Sequence, residues 1–343
     1  MKREIGFIRS SVKPNSTRSA WGSKMKYLLI MPSFYGYYKR ICEVLNKAGN
    51  EVFFFPDEIA VSFCDRILKK CQIDSIQKSY DNYIKMIPQK LHGIHVDKVV
   101  IIFAGRYMTP ENVQELRKQY PEAEFVYYTW DSVKNFPNIK NIYKLFDRSY
   151  SFDKIDCKQY GMEFLPLFYS NDYIEEQTIY DVTSLMTYGI PKAESYHRII
   201  NSLPDGLEIN QYLVMKHRST YLYNKMKSPK SFAGIEPDTI KFKPLNQVES
   251  NRMFAQSKVV IDCPLDGQNG LTMRTFEVLH LSKKLITTNA NIMGYDFYTP
   301  DNIFVVDGMT RIPNSFFEEP YNRMSSLSDN YSIDTFVSVL FGI

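Results

Sequence analysis

The span Gln268-Asn269-Gly270-Leu271-Thr272-Met273-Arg274-Thr275-Phe276-Glu277 combines the groups needed to hold a phosphorylated ligand. Gly270 lets a loop turn close to a ligand, and Thr272 is placed to cap a helix whose first-turn N–H groups attract phosphate. Arg274 adds a fixed positive charge. Glu277 lies one helical turn beyond it, so both can point toward one crevice while Phe276 and Leu279 face inward. Together these residues suit a nucleotide diphosphate and its ribose. The same residues also read as an ordinary helix cap followed by a surface Arg–Glu pair, an interaction of small energy. A strand over Lys284–Thr287, tipped by Thr288 and Asn289, completes a strand-loop-helix-strand unit.

A second chemistry is proton transfer. Asp131 follows the apolar run Glu124–Thr129 and sits beside Trp130, where partial desolvation would raise its pKa and strengthen it as a general base toward a hydroxyl. Asp followed by Ser is equally ordinary turn chemistry, and both readings stand. Arg106, just after the strand Lys98–Phe103, is the other catalytic candidate. Tyr188 and Gly189 end a strand over Asp181–Tyr188, and Lys216-His217-Arg218 end one over Tyr212–Lys216. Lys216 is a candidate for the diphosphate, and the basic-aromatic run through Lys230 reads either as a solvated helix face or as a surface for anionic lipid. Tyr35 to Arg40 form a similar cluster after the first strand.

Other chemistries lack their residues. Asp57, Asp153 with Asp156, and Asp262 with Asp266 do not make an Asp-x-Asp metal site at a strand tip, so no metal and no cofactor is expected. None of the five histidines stands at a strand tip of the first half. The five cysteines are odd in number and scattered without metal-ligand spacing, which points to reduced thiols. A Walker A loop is absent, as is a G-x-G-x-x-G after the first strand, so an ATPase or a nicotinamide dehydrogenase is poorly supported.

These candidates fall at the ends of alternating strands and helices. The run Tyr27–Met31, a helix ending at Ala48-Gly49-Asn50 and the strand Glu51–Phe55 make a βαβ unit, hence a parallel sheet with a right-handed crossover. Helical pattern over 61–92, a helix opened by Thr109-Pro110, and shorter elements up to Phe164–Leu167 continue the alternation. After a polar stretch over 170–177 it restarts, and it closes with a helix over Ile333–Phe341. The expected organisation is a basic, mobile leader over 1–24, with Met25 as an alternative start, one Rossmann-like domain over 25–170, a second over 178–330, and a final helix over 331–343.

At 343 residues and 44% hydrophobic content the chain is larger than one ordinary core requires, which favours two domains. A net charge of +4 gives no support to a nucleic-acid binder. The sequence shows neither a transmembrane run nor a signal-peptide core, so a cytoplasmic protein with at most peripheral membrane contact is expected.

The Gln268–Glu277 span before Lys283-Lys284-Leu285-Ile286-Thr287 resembles the nucleotide-sugar half of GT-B glycosyltransferases, in particular bacterial surface-polysaccharide enzymes of the CgeB-like type. The resemblance implies an α/β fold of two Rossmann-like domains with a cleft between them and a terminal helix crossing back to the first. It implies Glu277 on the donor ribose and Arg274 at the diphosphate, with Gln268, Asn269, Gly270, Leu271 and Thr272 forming the loop. The first domain would present the acceptor and Asp131. The partners it implies are a nucleotide sugar and a glycan or lipid-linked glycan acceptor for capsule or lipopolysaccharide, at the inner face of the membrane. A catalytically silent binding protein and a sugar-nucleotide epimerase are the alternative readings.

Overall fold

The computed structural model describes residues 8–9, 24–33, 36–58, 73–103, 106–170, 174–265, 267–325 and 327–343. Most of the leader, Tyr35, the start of the 61–92 segment, Ala104-Gly105 and Asp266 lie outside the described residues. The chain divides into two compact units, one formed by Met1–Pro166 with Ile333–Ile343, the other by Leu167–Ser332.

The first unit is built on a seven-stranded sheet. Its strands are β1 (Ile8–Arg9), β2 (Lys26–Met31), β3 (Glu51–Pro56), β4 (Lys98–Ile102), β5 (Glu124–Thr129), β6 (Arg148–Ser151) and β7 (Glu163–Phe164). The helices are α1 (Tyr37–Lys47), α2 (Ile73–Lys90), α3 (Pro110–Gln119), α4 (Ile139–Ile142) and α5 (Lys154–Tyr160). The order is β1-β3-β2-β4-β5-β6-β7. The strands from β3 to β7 run parallel. Val99 to Ile102 and Phe125 to Tyr128 are buried, as strands covered on both faces must be. β1 differs from the expected mobile leader: Ile8 and Arg9 pair antiparallel with Phe54 and Phe53, because β3 is otherwise an open sheet edge.

Local signals set these boundaries. Thr109 caps α3 in a reciprocal capping box with Asn112, with Pro110 at the first helical position. Asp153 caps α5 by accepting from the Ile155 and Asp156 N–H groups, and Gly161 ends it at φ 70°. The C-terminal helix Ile333–Phe341 packs in this unit. Phe341 meets Tyr27 edge-on at 5.3 Å, and Phe336 meets Tyr128 at 4.9 Å. The buried Lys98 ammonium donates to the Phe341 carbonyl at 2.7 Å and pairs with Glu124 at 2.8 Å, which neutralises the helix's negative end.

The second unit contains β8 (Tyr180–Thr187), β9 (Ile209–Val214), β10 (Ile240–Lys241), β11 (Ser257–Asp262), β12 (Lys284–Thr287) and β13 (Ile303–Val305). Its main helices are α6 (Ile190–Ser202), α7 (Arg218–Lys227), α8 (Gln247–Ala255) and α9 (Met273–His280). The order β10-β9-β8-β11-β12-β13 places the first three strands in reverse and the last three in sequence, a doubly wound Rossmann arrangement. All neighbouring pairs are parallel. The unit begins at Leu167, ahead of the 170–177 stretch, because Tyr169 bridges to Ser332 and stacks on His280 at 3.9 Å. β9 lies at 209–214 rather than 212–216, since pairing with β8 from Ile209 recruits the polar residues Asn210 and Gln211.

Among the described residues no helix is long and apolar enough to cross a membrane.

Candidate functional site

Open parallel sheets bind ligands beyond the carboxyl ends of their strands, where the strand order reverses. In the second unit that point lies between β8 and β11. β8 leads through Tyr188 and Gly189 into the first turn of α6, which holds Pro191 and Lys192. β11 ends at Asp262, and the following loop, Pro264 to Leu271, runs into α9.

Asp262 is the hub of this rim. It is only 2% exposed, and its Oδ2 accepts from the Thr272 hydroxyl at 2.5 Å and the Thr275 hydroxyl at 2.9 Å. Its Oδ1 accepts from Arg274 Nη1 at 3.1 Å. Arg274 therefore pairs back across the loop with Asp262, while its Nε is buried with no hydrogen-bond partner. Thr272 also caps α9 by accepting from the Thr275 N–H, as its position before the helix predicts.

Lys192 joins this cluster. Burial and the neighbouring Arg274 push its ammonium pKa down from the usual lysine value, while Asp262 and Cys263 act the other way. Lys192 and Arg274 thus lie within electrostatic reach of one carboxylate, whose three hydrogen bonds come from Thr272, Thr275 and Arg274. The excess positive charge and the unpartnered Arg274 Nε are what an anion such as a diphosphate would relieve.

The loop is held from behind. Asn289, at the tip of β12, donates through Nδ2 to the carbonyls of Asn269 at 3.1 Å and Gly270 at 3.2 Å. The Gln268 side chain donates to the Gly270 carbonyl at 3.2 Å. The left-handed backbone falls on Gly267, at φ 77°, and Gly270 has no positive φ, so Gly267 makes the turn expected of Gly270. Gly270 and Leu271 are buried. Glu277 is 7% exposed and lies within the buried run Thr275 to Leu279 of α9, so it is not a surface residue.

Two other expected residues are placed differently. Tyr188 is buried in the core, its hydroxyl donating to the Ser231 carbonyl at 2.6 Å, so its side chain does not face the rim. Lys216 is exposed just beyond β9. Gly189 adopts φ 167° directly before α6, an extended conformation open to any residue.

The rim of the first unit carries the other candidates. Asp131 follows β5, and burial lifts its carboxyl pKa from 3.8 to about 6, with the Arg106 charge pulling it partly back. The turn after β5 does not depend on that carboxylate. The Thr129 hydroxyl donates to the Asp131 carbonyl at 2.6 Å, and Asp156 accepts from the Val133 N–H at 2.8 Å. Arg106 is exposed, with its guanidinium 5.9 Å from the Phe136 ring centre. At the end of β4, Phe103 holds φ 76°, a left-handed conformation costly for a bulky residue, fixed by its N–H donating to the Tyr128 carbonyl and its carbonyl accepting from the Tyr127 hydroxyl, both at 2.7 Å. Trp130 meets Tyr37 edge-on at 6.4 Å, an aromatic surface beside the carboxylate. Asp57, at the end of β3, accepts from the buried Tyr80 hydroxyl and serves the core.

Lys192 and the hub role of Asp262 escape a reading of the sequence. The signal for Lys192 is Gly189-Ile190-Pro191-Lys192 directly after an apolar strand, since Pro in the first turn marks a helix start and puts residue 192 at the rim.

No family model and no curated protein sequence matches the chain. Its fold is shared by solved structures of low identity. Sucrose-phosphate synthase from Thermosynechococcus elongatus aligns with a TM-score of 0.58 at 8% identity, covering 93% of this chain and 95% of that one. Anabaena HepE in complex with UDP and glucose aligns with a TM-score of 0.52 at 10% identity, covering 92% and 95%. UDP-GlcNAc 2-epimerase from Methanocaldococcus jannaschii aligns with a TM-score of 0.51 at 9% identity, covering 93% and 99%. The chain has the two-domain Rossmann-like GT-B fold.

Proposed function

We propose that the protein is a glycosyltransferase that moves a sugar from a nucleotide-sugar donor to a hydroxyl of a bacterial surface glycan, in the manner of CgeB-like enzymes. The observation that carries this reading is the Lys192–Arg274 pair around Asp262 at the strand-order reversal of the second unit, with the Arg274 Nε unpartnered. Lys192 and Arg274 would neutralise the diphosphate as the bond from anomeric carbon to phosphate oxygen breaks. Asp131 would take the proton of the acceptor hydroxyl as its oxygen attacks that carbon, a role suited to a carboxyl with a pKa of about 6. Glu277 is assigned to the donor ribose.

The likeness to a UDP-GlcNAc 2-epimerase favours a second reading, conversion of a nucleotide sugar without an acceptor. One experiment separates the two. Thermal unfolding is followed with UDP, GDP, CMP and dTDP on the wild type, Arg274→Ala and Glu277→Ala, and products are then analysed with the matching nucleotide sugar. Ligand at a hundredfold excess over Kd stabilises by about 2.7 kcal/mol. A shift with one nucleotide, lost in Arg274→Ala, supports the donor site, and no shift with any of them rejects it. A new nucleotide-sugar isomer formed without acceptor would replace the transferase reading with the epimerase one.

A further inference from the structure

The segment Lys216–Lys243 carries seven Lys and Arg against Glu236 and Asp238, a net charge of +5, and the rest of the chain, with 35 basic and 36 acidic residues, is −1. The excess positive charge of the protein is thus concentrated here, around α7. That helix has no buried residue. At about 100° per residue, Leu222, Met226 and Tyr223 share one face, and they are 58%, 83% and 62% exposed. The opposite face anchors the helix, with the Tyr221 ring 5.6 Å from Phe232 and 6.4 Å from Phe242.

The cations sit between these faces. Helical spacing puts Arg218 and Lys225 along one flank of the apolar face and Lys227 along the other. Arg218 lies 5.6 Å from the Phe242 ring and Lys227 lies 5.9 Å from the Tyr223 ring. A helix solvated on its outer side would turn polar residues outward. Here the outermost side chains are Leu and Met, bordered by long basic side chains whose stems can lie along apolar surface while their heads reach outward.

We propose that this face of α7 is a docking surface for an anionic bilayer. Leu222, Tyr223 and Met226 would sink to the boundary of headgroups and acyl chains. Arg218, Lys225 and Lys227 would reach lipid phosphates, with Lys230, Lys241 and Lys243 adding attraction that salt screens.

The test is co-sedimentation of the full chain, without nucleotide, with vesicles of phosphatidylcholine alone or mixed with phosphatidylglycerol. Binding to the anionic vesicles is expected to exceed that to neutral ones by about tenfold or more and to fall as salt rises. Leu222→Ser combined with Met226→Ser should weaken it about tenfold. Lys225→Gln with Lys227→Gln should reduce the preference for anionic lipid, and both pairs should leave the unfolding temperature unchanged because the residues are exposed. Three results would overturn the proposal. Neutral and anionic vesicles could bind alike, the α7 variants could bind as the wild type does, or a second copy of the chain could occupy the face, seen as a dimer in sedimentation that the Leu222→Ser/Met226→Ser change splits. Because no nucleotide is present, the result is independent of the transferase reading.

Discussion

Asp262 closes β11 and Asp131 follows β5, so each unit places an aspartate at the carboxyl end of its sheet, yet the two carboxylates are held in contrasting ways. Asp262 is fixed by two hydroxyls and a guanidinium. It is buried and paired, so it orders the start of α9 and holds Arg274 at the rim. Asp131 is desolvated and answered only in part by Arg106, which leaves its pKa at about 6. Its turn is closed by Thr129 and Asp156 instead. One carboxylate is fully answered by donors, and the other, left near the point of ionisation, is the one we propose to exchange a proton. Burial alone does not separate these roles; the supply of donors does.

The contrast is tested most severely at Asp131. Asp131→Asn removes the proton acceptor without changing the shape, and the transfer rate should fall by about 10² to 10⁴. The acid limb of the wild-type rate profile should have its midpoint near pH 6, because the carboxyl must ionise to act as a base. The stability effect has the opposite sign. The folded pKa of about 6 lies above 3.8, so the folded state holds this proton more tightly, and the contribution of Asp131 to stability declines as pH rises from 3.8 to about 6 and is constant beyond. Above that window Asp131→Asn should therefore be more stable than the wild type, by no more than about 3 kcal/mol, and should unfold at a higher temperature. A variant that keeps the wild-type rate would return Asp131 to an ordinary turn residue.

Asp262→Ala should act in the reverse sense. It strands two hydroxyls and a half-buried guanidinium, and losing one partner of a buried ion pair costs about 3–5 kcal/mol. Urea unfolding at neutral pH reads this directly. A loss below about 1 kcal/mol would mean that Thr272, Thr275 and Arg274 find other partners, and the scaffold role would be withdrawn.

How far the sequence foretold these features follows the range of the interactions. The strands Glu124–Thr129 and Lys284–Thr287 and the helix Ile333–Phe341 appear where apolar patterning placed them, because local signals mark their ends. The capping role of Thr272 was legible for the same reason. The helix α7 is legible only as a solvated face without bounds, since with no buried residue it leaves no inward periodicity to fix its ends. The hydrogen bond from Arg274 to Asp262 is not legible in the sequence, because Asp262 lies twelve residues away on a strand that the fold brings beside the start of α9. The place of Lys192 is not legible in the sequence, because it comes beside Cys263, 71 residues away, only once β8 and β11 are neighbours.

Lys192 sharpens the comparison by a smaller effect. A bound diphosphate should raise its depressed pKa, so nucleotide binding should take up protons, and affinity should weaken as pH climbs through the lowered pKa of the free protein. Calorimetry in two buffers of different ionisation enthalpy measures the uptake. Lys192→Ala should lose about tenfold in affinity, while Lys192→Arg should retain most of it without the proton uptake, since guanidinium does not titrate in this range.

The smallest effect belongs to Asn289, which touches the site only through the backbone of the loop. Asn289→Ala leaves the Asn269 and Gly270 carbonyls without its amide, a cost of about 1–2 kcal/mol in stability. If the loop's role is to hold α9 and Arg274 in place, nucleotide affinity should fall by less in this variant than in Arg274→Ala, while the proton uptake through Lys192 persists. An equal or larger loss would mean that the loop backbone, rather than the Lys192–Arg274 pair, contributes most of the binding energy, and the charge argument for the second unit would give way to one based on backbone N–H groups.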